Sequence, residues 1–91
     1  MNPLQTSSER IKQLRSKMLV HSYLYYHRDT SIVSDHQWQD WANELTTLQK
    51  LYPDPIGFYD NEFQDWDGST GMHLPINNWI YQKAEQLLRY K

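Results

Sequence analysis

Apolar positions in the first half of the chain recur at intervals of three and four residues. Ile11, Leu14, Met18, His21 and Tyr25 form one stripe, widened by Leu19 and Tyr26, and this is the period of an amphipathic helix. Thr6-Ser7-Ser8-Glu9 leads into it with the S/T-x-x-E order in which a hydroxyl accepts from a backbone N–H and the Glu reaches back. The spacing therefore predicts a helix over about 7–27. Trp38, Trp41, Leu45, Leu48 and Tyr52 repeat at 3, 4, 3, 4 behind a second such signal, Ser34-Asp35-His36-Gln37, and Pro53 ends the run. That is the seam of a helix lying at a shallow angle on a neighbour. With only the short polar stretch 28–33 between them, the two helices read as an antiparallel hairpin, and Ile32 and Val33 stand where a hydrophobic staple would pack on the second helix. Behind Pro75, the positions Ile76, Trp79, Ile80, Ala84, Leu87 and Leu88 predict a third helix from the proline to about residue 90.

Residues 53–74 have no period and hold all three glycines and two of the four prolines, yet they also carry Phe58, Tyr59, Phe63 and Trp66. Four large rings in so short a stretch are pinned to the body, so this segment reads as an ordered lid over the hairpin. The expected architecture is an all-α, three-helix domain with one long acidic aromatic loop: a single domain over 1–91, with the hairpin at 7–52, the loop at 53–74 and the last helix at 75–91. Ninety-one residues are too few for two independent cores, which excludes a self-contained multidomain enzyme.

Composition sharpens the question of the rings. Seven Tyr and four Trp stand against two Phe, so almost every ring carries a polar handle. Tyr23, Tyr25 and Tyr26 crowd the end of the first helix and cannot all face one core, because residues one and two apart point in different directions. At least one of them is exposed or lines a site. The chain has no cysteine, which excludes disulfides, thiolate metal sites and Cys nucleophiles. Charges run through the first thirty residues and no apolar run is long enough to span a bilayer, so neither a leader nor a membrane segment is expected, and the expected location is the cytoplasm.

The net charge of −2 is unevenly spread: residues 51–82 contain Asp54, Asp60, Glu62, Asp65 and Asp67 and no Lys or Arg. An acidic middle repels phosphate backbones, and the bases Arg10, Lys12, Arg15, Lys17 and Arg28 are scattered along the first helix, so direct nucleic-acid binding is not expected. Asp65-x-Asp67-Gly68 resembles part of a calcium loop, but aligning Gly68 with the sixth position of that loop puts Phe63 and Leu74 at its first and twelfth ligands. An Asp-Gly turn explains it better. His21, His27, His36 and His73 lack the spacing of a helix-borne zinc site, and no metal site is expected.

The residues Arg10-Ile11, Leu14-Arg15, His21, Tyr23, Tyr25-Tyr26, Asp29, Val33-Ser34-Asp35, Trp38, Glu44-Leu45, Leu48 and Tyr52-Pro53-Asp54, in that order and spacing, resemble the N-terminal helical domain of bacterial NAD-dependent DNA ligases over about residues 10–54. The remainder, from Phe63-Gln64-Asp65-Trp66-Asp67-Gly68-Ser69-Thr70-Gly71 onward, is similar instead to small phage and prophage proteins of ligase-related type. The ligase resemblance implies a domain that folds over NAD and holds its nicotinamide mononucleotide half, while a separate nucleotidyltransferase domain takes the adenylate. It sets the aromatic pair of the family on Tyr25 and Tyr26, its loop carboxylate on Asp35 and the Tyr of its Glu-Tyr-Asp on Trp38. Rings sandwich a flat pyridinium, and a carboxylate binds ribose hydroxyls or offsets the positive charge of the ring. Gln37 and Gln39 stand where the family has two acids. The residues themselves leave a second reading open: Tyr25 and Trp38 lie on helix seams, where rings more often pack than bind, and an acid at Asp35 suits a helix N-terminus by charge alone.

Ligation needs a Lys in Lys-x-Asp-Gly to carry the adenylate. None of the five lysines has that context, and Asp65-Trp66-Asp67-Gly68 has Asp in the place of the nucleophile. With no other nucleophile, base and oxyanion constellation, the chain reads as a noncatalytic ligase-related phage or prophage protein, a binding module for which NAD or nicotinamide mononucleotide is the implied ligand. The alternative is an interaction module in which Phe58, Tyr59, Asp60, Phe63, Asp65, Trp66 and Asp67 dock on a host or phage protein of replication, repair or defence, rings serving as anchors and acids as a charge match.

Overall fold

The computed structural model describes residues 6–89 and contains four helices, α1 (Ser7–His27), α2 (Asp35–Leu51), α3 (Asp60–Phe63) and α4 (Asn78–Arg89). Both capping hydroxyls act at the first two helix starts: Thr6 Oγ1 accepts from the Glu9 N–H at 3.2 Å and Ser34 Oγ from the Gln37 N–H at 3.0 Å. Each such cap is worth about 1 kcal/mol. At the other end of α1, the N–H groups of Arg28 and Thr30 both donate to the Leu24 carbonyl, across Asp29 with φ at 49°. A left-handed residue there reverses the chain while still satisfying the last carbonyls, and Asp tolerates it better than most.

The hairpin is antiparallel. His21 meets the ring of Trp41, and Arg15, further back along α1, donates to Gln49, further along α2. At the outer end Arg10 grips Glu44 in a two-pronged pair, Nε to Oε2 at 2.6 Å and Nη2 to Oε1 at 2.7 Å. This geometry holds the Glu44 carboxyl below its usual range and raises the Arg10 guanidinium above its own.

The stripe on α1 accounts for Ile11, Leu14, Met18 and Leu19, which are buried, but Arg15, Val20, Ser22 and Leu24 are buried as well. A single neighbour covers one face of a helix; α1 lies between α2 and α4, and the 52–77 loop packs on it too. One core cluster joins Ile11, Leu14, Met18 and Leu19 of α1 to Ala42 and Leu45 of α2, Phe63 of α3 and Ile80 of α4. A second, smaller one joins Val20, Leu24 and Ala84. Ile32, expected as a staple on α2, packs against this second cluster, formed by α1 and α4.

Three other expectations are corrected. Tyr52 caps α2 and is 49% exposed, so the seam of α2 ends at Leu48. Trp79 is exposed rather than seated in a helix seam, and only meets Phe58 edge-on at 6.0 Å. The last helix begins at Asn78 and not at Pro75, because Asn77 Oδ1 accepts from the Ile80 N–H at 3.0 Å and sets the start there. Residues 90 and 91, to which that expected segment extended, lie outside the described residues.

The loop is ordered by three devices. Phe63 is fully buried in the main core, a burial worth about 2–3 kcal/mol. Arg15, itself covered, donates through Nη1 to the Phe58 carbonyl at 2.7 Å and to Asp60 Oδ1 at 2.9 Å, and through Nε to Gln49 at 2.8 Å. Asp60 also accepts from the N–H groups of Ile56 and Gly57, and these backbone bonds, with Arg15, hold its carboxyl below the usual range. Finally, Gly71 lies directly on α1: a Cβ there would sit 1.9 Å from Ser22 Oγ, so only glycine lets the loop approach so closely.

Candidate functional site

The last turn of α1, the joint 28–34 and the first turns of α2 enclose an open cleft of about 220 Å³. Its lining includes Tyr25 and Tyr26 from α1, Ser31, Ile32 and Val33 from the joint, Asp35, Trp38 and Gln39 from α2, His21 at the back and Ser69 from the loop. The four residues singled out as ligand-binding, Tyr25, Tyr26, Asp35 and Trp38, thus share one cavity. They meet because the antiparallel hairpin brings the end of α1 beside the start of α2.

Tyr25 is 52% exposed and Tyr26 38%. Their rings stand edge to face, centroids 4.8 Å apart and planes at 84°, the result of adjacent helical positions pointing about 100° apart. Tyr25 is therefore not a seam residue; it meets the edge of the Tyr26 ring and leaves the rest of its surface open. Trp38 has a double use. It is half-buried against the main core and meets Trp66 edge-on at 6.2 Å, while still lining the cleft.

Charge in the cleft is one-signed. Asp35 stands in the first turn of α2, where the helix dipole favours an anion. His21 is held neutral, its pKa lowered to about 4 by burial and by nearby Lys17. Lys17 itself lies over the Trp41 ring at 4.6 Å, and no Lys or Arg lines the cavity. Rings with one carboxylate and no cation suit a flat, positively charged group. The volume of the cleft, about 220 Å³, is below the ~300 Å³ at which drug-sized pockets begin, so it suits a small planar group rather than a large ligand.

The loop stands at the rim of the cleft and does not fill it. Trp66 packs between Phe63 and Trp38 and donates from Nε1 to the Thr70 carbonyl at 2.7 Å; Thr70 Oγ1 is 2.9 Å from the Tyr26 hydroxyl. Gly68, with φ at 82° and room for no side chain beside Thr46, whose Cγ2 would lie 3.1 Å from an added Cβ, lets the chain turn tightly over α2, where its carbonyl accepts from Gln39 Nε2 at 3.3 Å. The family resemblance pointed to Gln39, but no local signal in the sequence assigned Ser69 to the cleft, since the return of the loop across α2 is a long-range event.

The residues proposed as docking anchors are placed differently. Phe63 is in the core and is not available to a partner. Phe58, Tyr59 and Trp66 are half-buried against the same core, Asp60 is committed to Arg15, and Asp67 accepts from both the N–H and the hydroxyl of Ser69, which makes it a turn-former. Asp65 remains exposed. The rings turn inward because they are the largest apolar surfaces in a chain with a small aliphatic core.

Comparison with known proteins places the chain in a family. Residues 4–57 match the family model of the DNA ligase-like, N-terminal NAD+-binding domain. Among curated proteins, the chain is 41% identical over 46 residues to a DNA ligase of Thermoanaerobacter sp. strain X514, covering 50% of this chain and 7% of that protein. It is 39% identical over 56 residues to one of Azotobacter vinelandii, covering 62% and 7%, and 38% identical over 70 residues to one of Chlorobium chlorochromatii, covering 77% and 10%. The last match is long enough that it must reach into the loop, so the ligase likeness extends beyond the hairpin on which the sequence motifs had placed it. The chain spans a tenth or less of the length of these relatives. No solved structure matches.

Proposed function

The chain belongs to the family of DNA ligase-like, N-terminal NAD+-binding domains, and from that premise we propose that it is a binding module whose cleft holds the nicotinamide mononucleotide half of NAD. The observation that supports this reading is the gathering of Tyr25, Tyr26, Asp35 and Trp38 around one open cavity. Tyr25 and Trp38 offer faces to the pyridinium, and Tyr26, held by Thr70, fixes the rim. Asp35 accepts from ribose hydroxyls or balances the ring charge.

In this reading the module does not ligate. Bond formation to adenylate needs a lysine nucleophile in Lys-x-Asp-Gly, a motif not found in these ninety-one residues, and the matches cover 7% of the curated ligases they fall on. Its own residues bind, orient the ring and shield one face from water. The substitution of Gln39 for an acid weakens attraction to the pyridinium, so the affinity expected is modest, with Kd near the millimolar range rather than micromolar. Titration calorimetry with nicotinamide mononucleotide tests the proposal: saturable binding, weakened about fivefold or more in Asp35→Asn, is expected. A flat titration at millimolar nucleotide would sink it.

A further inference from the structure

The two rings that offer faces to the cleft, Tyr25 and Trp38, are each set by a second ring. Tyr25 stands edge-to-face with Tyr26, centroids 4.8 Å apart and planes at 84°. Trp38 stands in the same way to Trp66, at 6.2 Å and 78°. An edge-to-face pair fixes the inclination of one ring against the other, so the orientation of both walls passes to Tyr26 on α1 and Trp66 in the loop.

Both of these lead to one residue. Thr70 Oγ1 is 2.9 Å from the Tyr26 hydroxyl, and the Thr70 carbonyl accepts from Trp66 Nε1 at 2.7 Å. The Met72 N–H donates to Thr70 Oγ1 at 3.1 Å, so the hydroxyl is held from the loop side as well as from α1. The next residue, Gly71, seats this backbone against α1, where an added Cβ would lie 1.9 Å from Ser22 Oγ. Thr70 does not itself line the cleft. It belongs to the strap 66–70, which follows residue 57, where the family match ends.

We propose that Thr70 is the positioning residue of the cleft: its hydroxyl sets Tyr25 through Tyr26, its carbonyl sets Trp38 through Trp66, and together they fix how the two faces are presented to a flat ring. The inference rests on the nucleotide reading above and adds to it the residue that pre-organises the site. The walls come from different helices, and each ring turns about its own side-chain torsions. A tie between them removes that freedom before the ligand arrives, so binding does not have to.

Thr70→Val keeps the shape of the side chain and removes its hydroxyl, whereas Thr70→Ser keeps the hydroxyl. Titrated with nicotinamide mononucleotide, the full chain carrying Thr70→Val is expected to bind about fivefold more weakly, the order of one net hydrogen bond, and Thr70→Ser within about twofold of wild type. Tyr26→Phe cuts the same bond from the other side with its ring kept. It should cost as much, and the double variant Thr70→Val with Tyr26→Phe should bind no more weakly than the weaker single one. Thermal melts establish that each variant folds. A ligand-free measurement reads the tie itself: Tyr26→Phe should speed hydrogen exchange at Trp66 Nε1, followed by NMR, by about threefold or more, because the loosened Thr70 holds its carbonyl less firmly on the indole.

Wild-type affinity in Thr70→Val, no recovery in Thr70→Ser, or single losses that add in the double variant overturns the positioning role and leaves the nucleotide reading standing. Unchanged exchange at Trp66 in Tyr26→Phe shows that the two walls are not tied and overturns it too. A wild-type chain that binds no nucleotide at millimolar concentration overturns the nucleotide reading, and with it the role given to Thr70 in binding.

Discussion

At the outer end of α1, Arg15 is covered by Gln49, Phe58, Asp60 and the ring of Phe63; at the inner end, Tyr25 leaves half its surface open. A guanidinium is buried and an aromatic ring exposed, the reverse of what residue type suggests. The difference lies in what arrives opposite. The loop delivers a carbonyl, a carboxylate and a ring to the first end, enough to satisfy a buried cation. To the second end it delivers only the edge of a strap, which touches Tyr26 through Thr70 and stops. The same helix is therefore a structural post at one end and the wall of a cleft at the other, and a residue's chemistry predicts its use only once its neighbours are known.

Removing Phe63 should break the contrast most severely. Phe63→Ala is expected to cost about 3–5 kcal/mol, measured by urea unfolding, and to free Trp66 from the core so that the strap leaves the cleft and nucleotide binding falls with stability. Asp60→Asn comes next. It leaves Arg15 covered without its charge partner, at a cost of about 1–2 kcal/mol because the Asp60 carboxylate is partly exposed and the amide oxygen still accepts, and loosens the loop start; a loss under about 0.5 kcal/mol would mean that water reaches Arg15 and that this part of α1 is no more closed than its last turn.

Acid should act on both ends, in separable windows. His21 at the back of the cleft has a folded pKa of about 4, below its ordinary value of about 6.5, so the unfolded chain binds the proton first. Its contribution to stability is present above pH ~6.5 and is lost as pH falls towards 4. The Asp60 carboxyl is also depressed, so its contribution is present above the ordinary carboxylate pKa and is lost at lower pH still. Tm recorded against pH should thus decline in two stages, and His21→Gln should flatten the first while leaving the second. A wild-type Tm that stays level between pH 6.5 and 4 would contradict the burial of a neutral His21.

Tyr25→Ala is expected to have the smallest effect on stability and a clear one on function. Loss of an exposed ring changes unfolding free energy by no more than about 0.5 kcal/mol, while the loss of one face for the pyridinium should weaken nicotinamide mononucleotide about tenfold, in line with a cation–π contact of ~0.5–2 kcal/mol. Strong destabilisation by this variant would show that Tyr25 is part of the core and that the two ends of α1 are alike.

Much of the hairpin was legible because its signals are local. Capping hydroxyls at Thr6 and Ser34 act within three residues, and the periods of α1 and α2 mark the core faces that Leu14, Met18 and Leu45 occupy. The pairing of Tyr25 and Tyr26 with Asp35 and Trp38 was accessible only through resemblance to a family, since nothing in the spacing distinguishes a ring that packs from a ring that binds. The burial of Arg15, the outward turn of Tyr52, the inward turn of Phe63 and the late start of α4 were not legible. Each depends on a contact between segments distant in the chain: Arg15 with Asp60, Phe63 with the α1–α2 core, Asn77 with the Tyr59 hydroxyl at 2.6 Å as well as the α4 backbone.

By itself the sequence determined α1, α2 and their hairpin, but neither the short α3 inside the loop nor the start of α4, because hydrogen bonding along the backbone and hydrophobic period are decided by residues a few positions apart. Only the tertiary structure decided which rings stay open. Aromatic surface is buried wherever a matching surface is within reach: Phe63 under Arg15 and Gly71 against Ser22 pin the loop to α1, and the chain that returns to the joint end meets Tyr26 through Thr70 and leaves Tyr25 open.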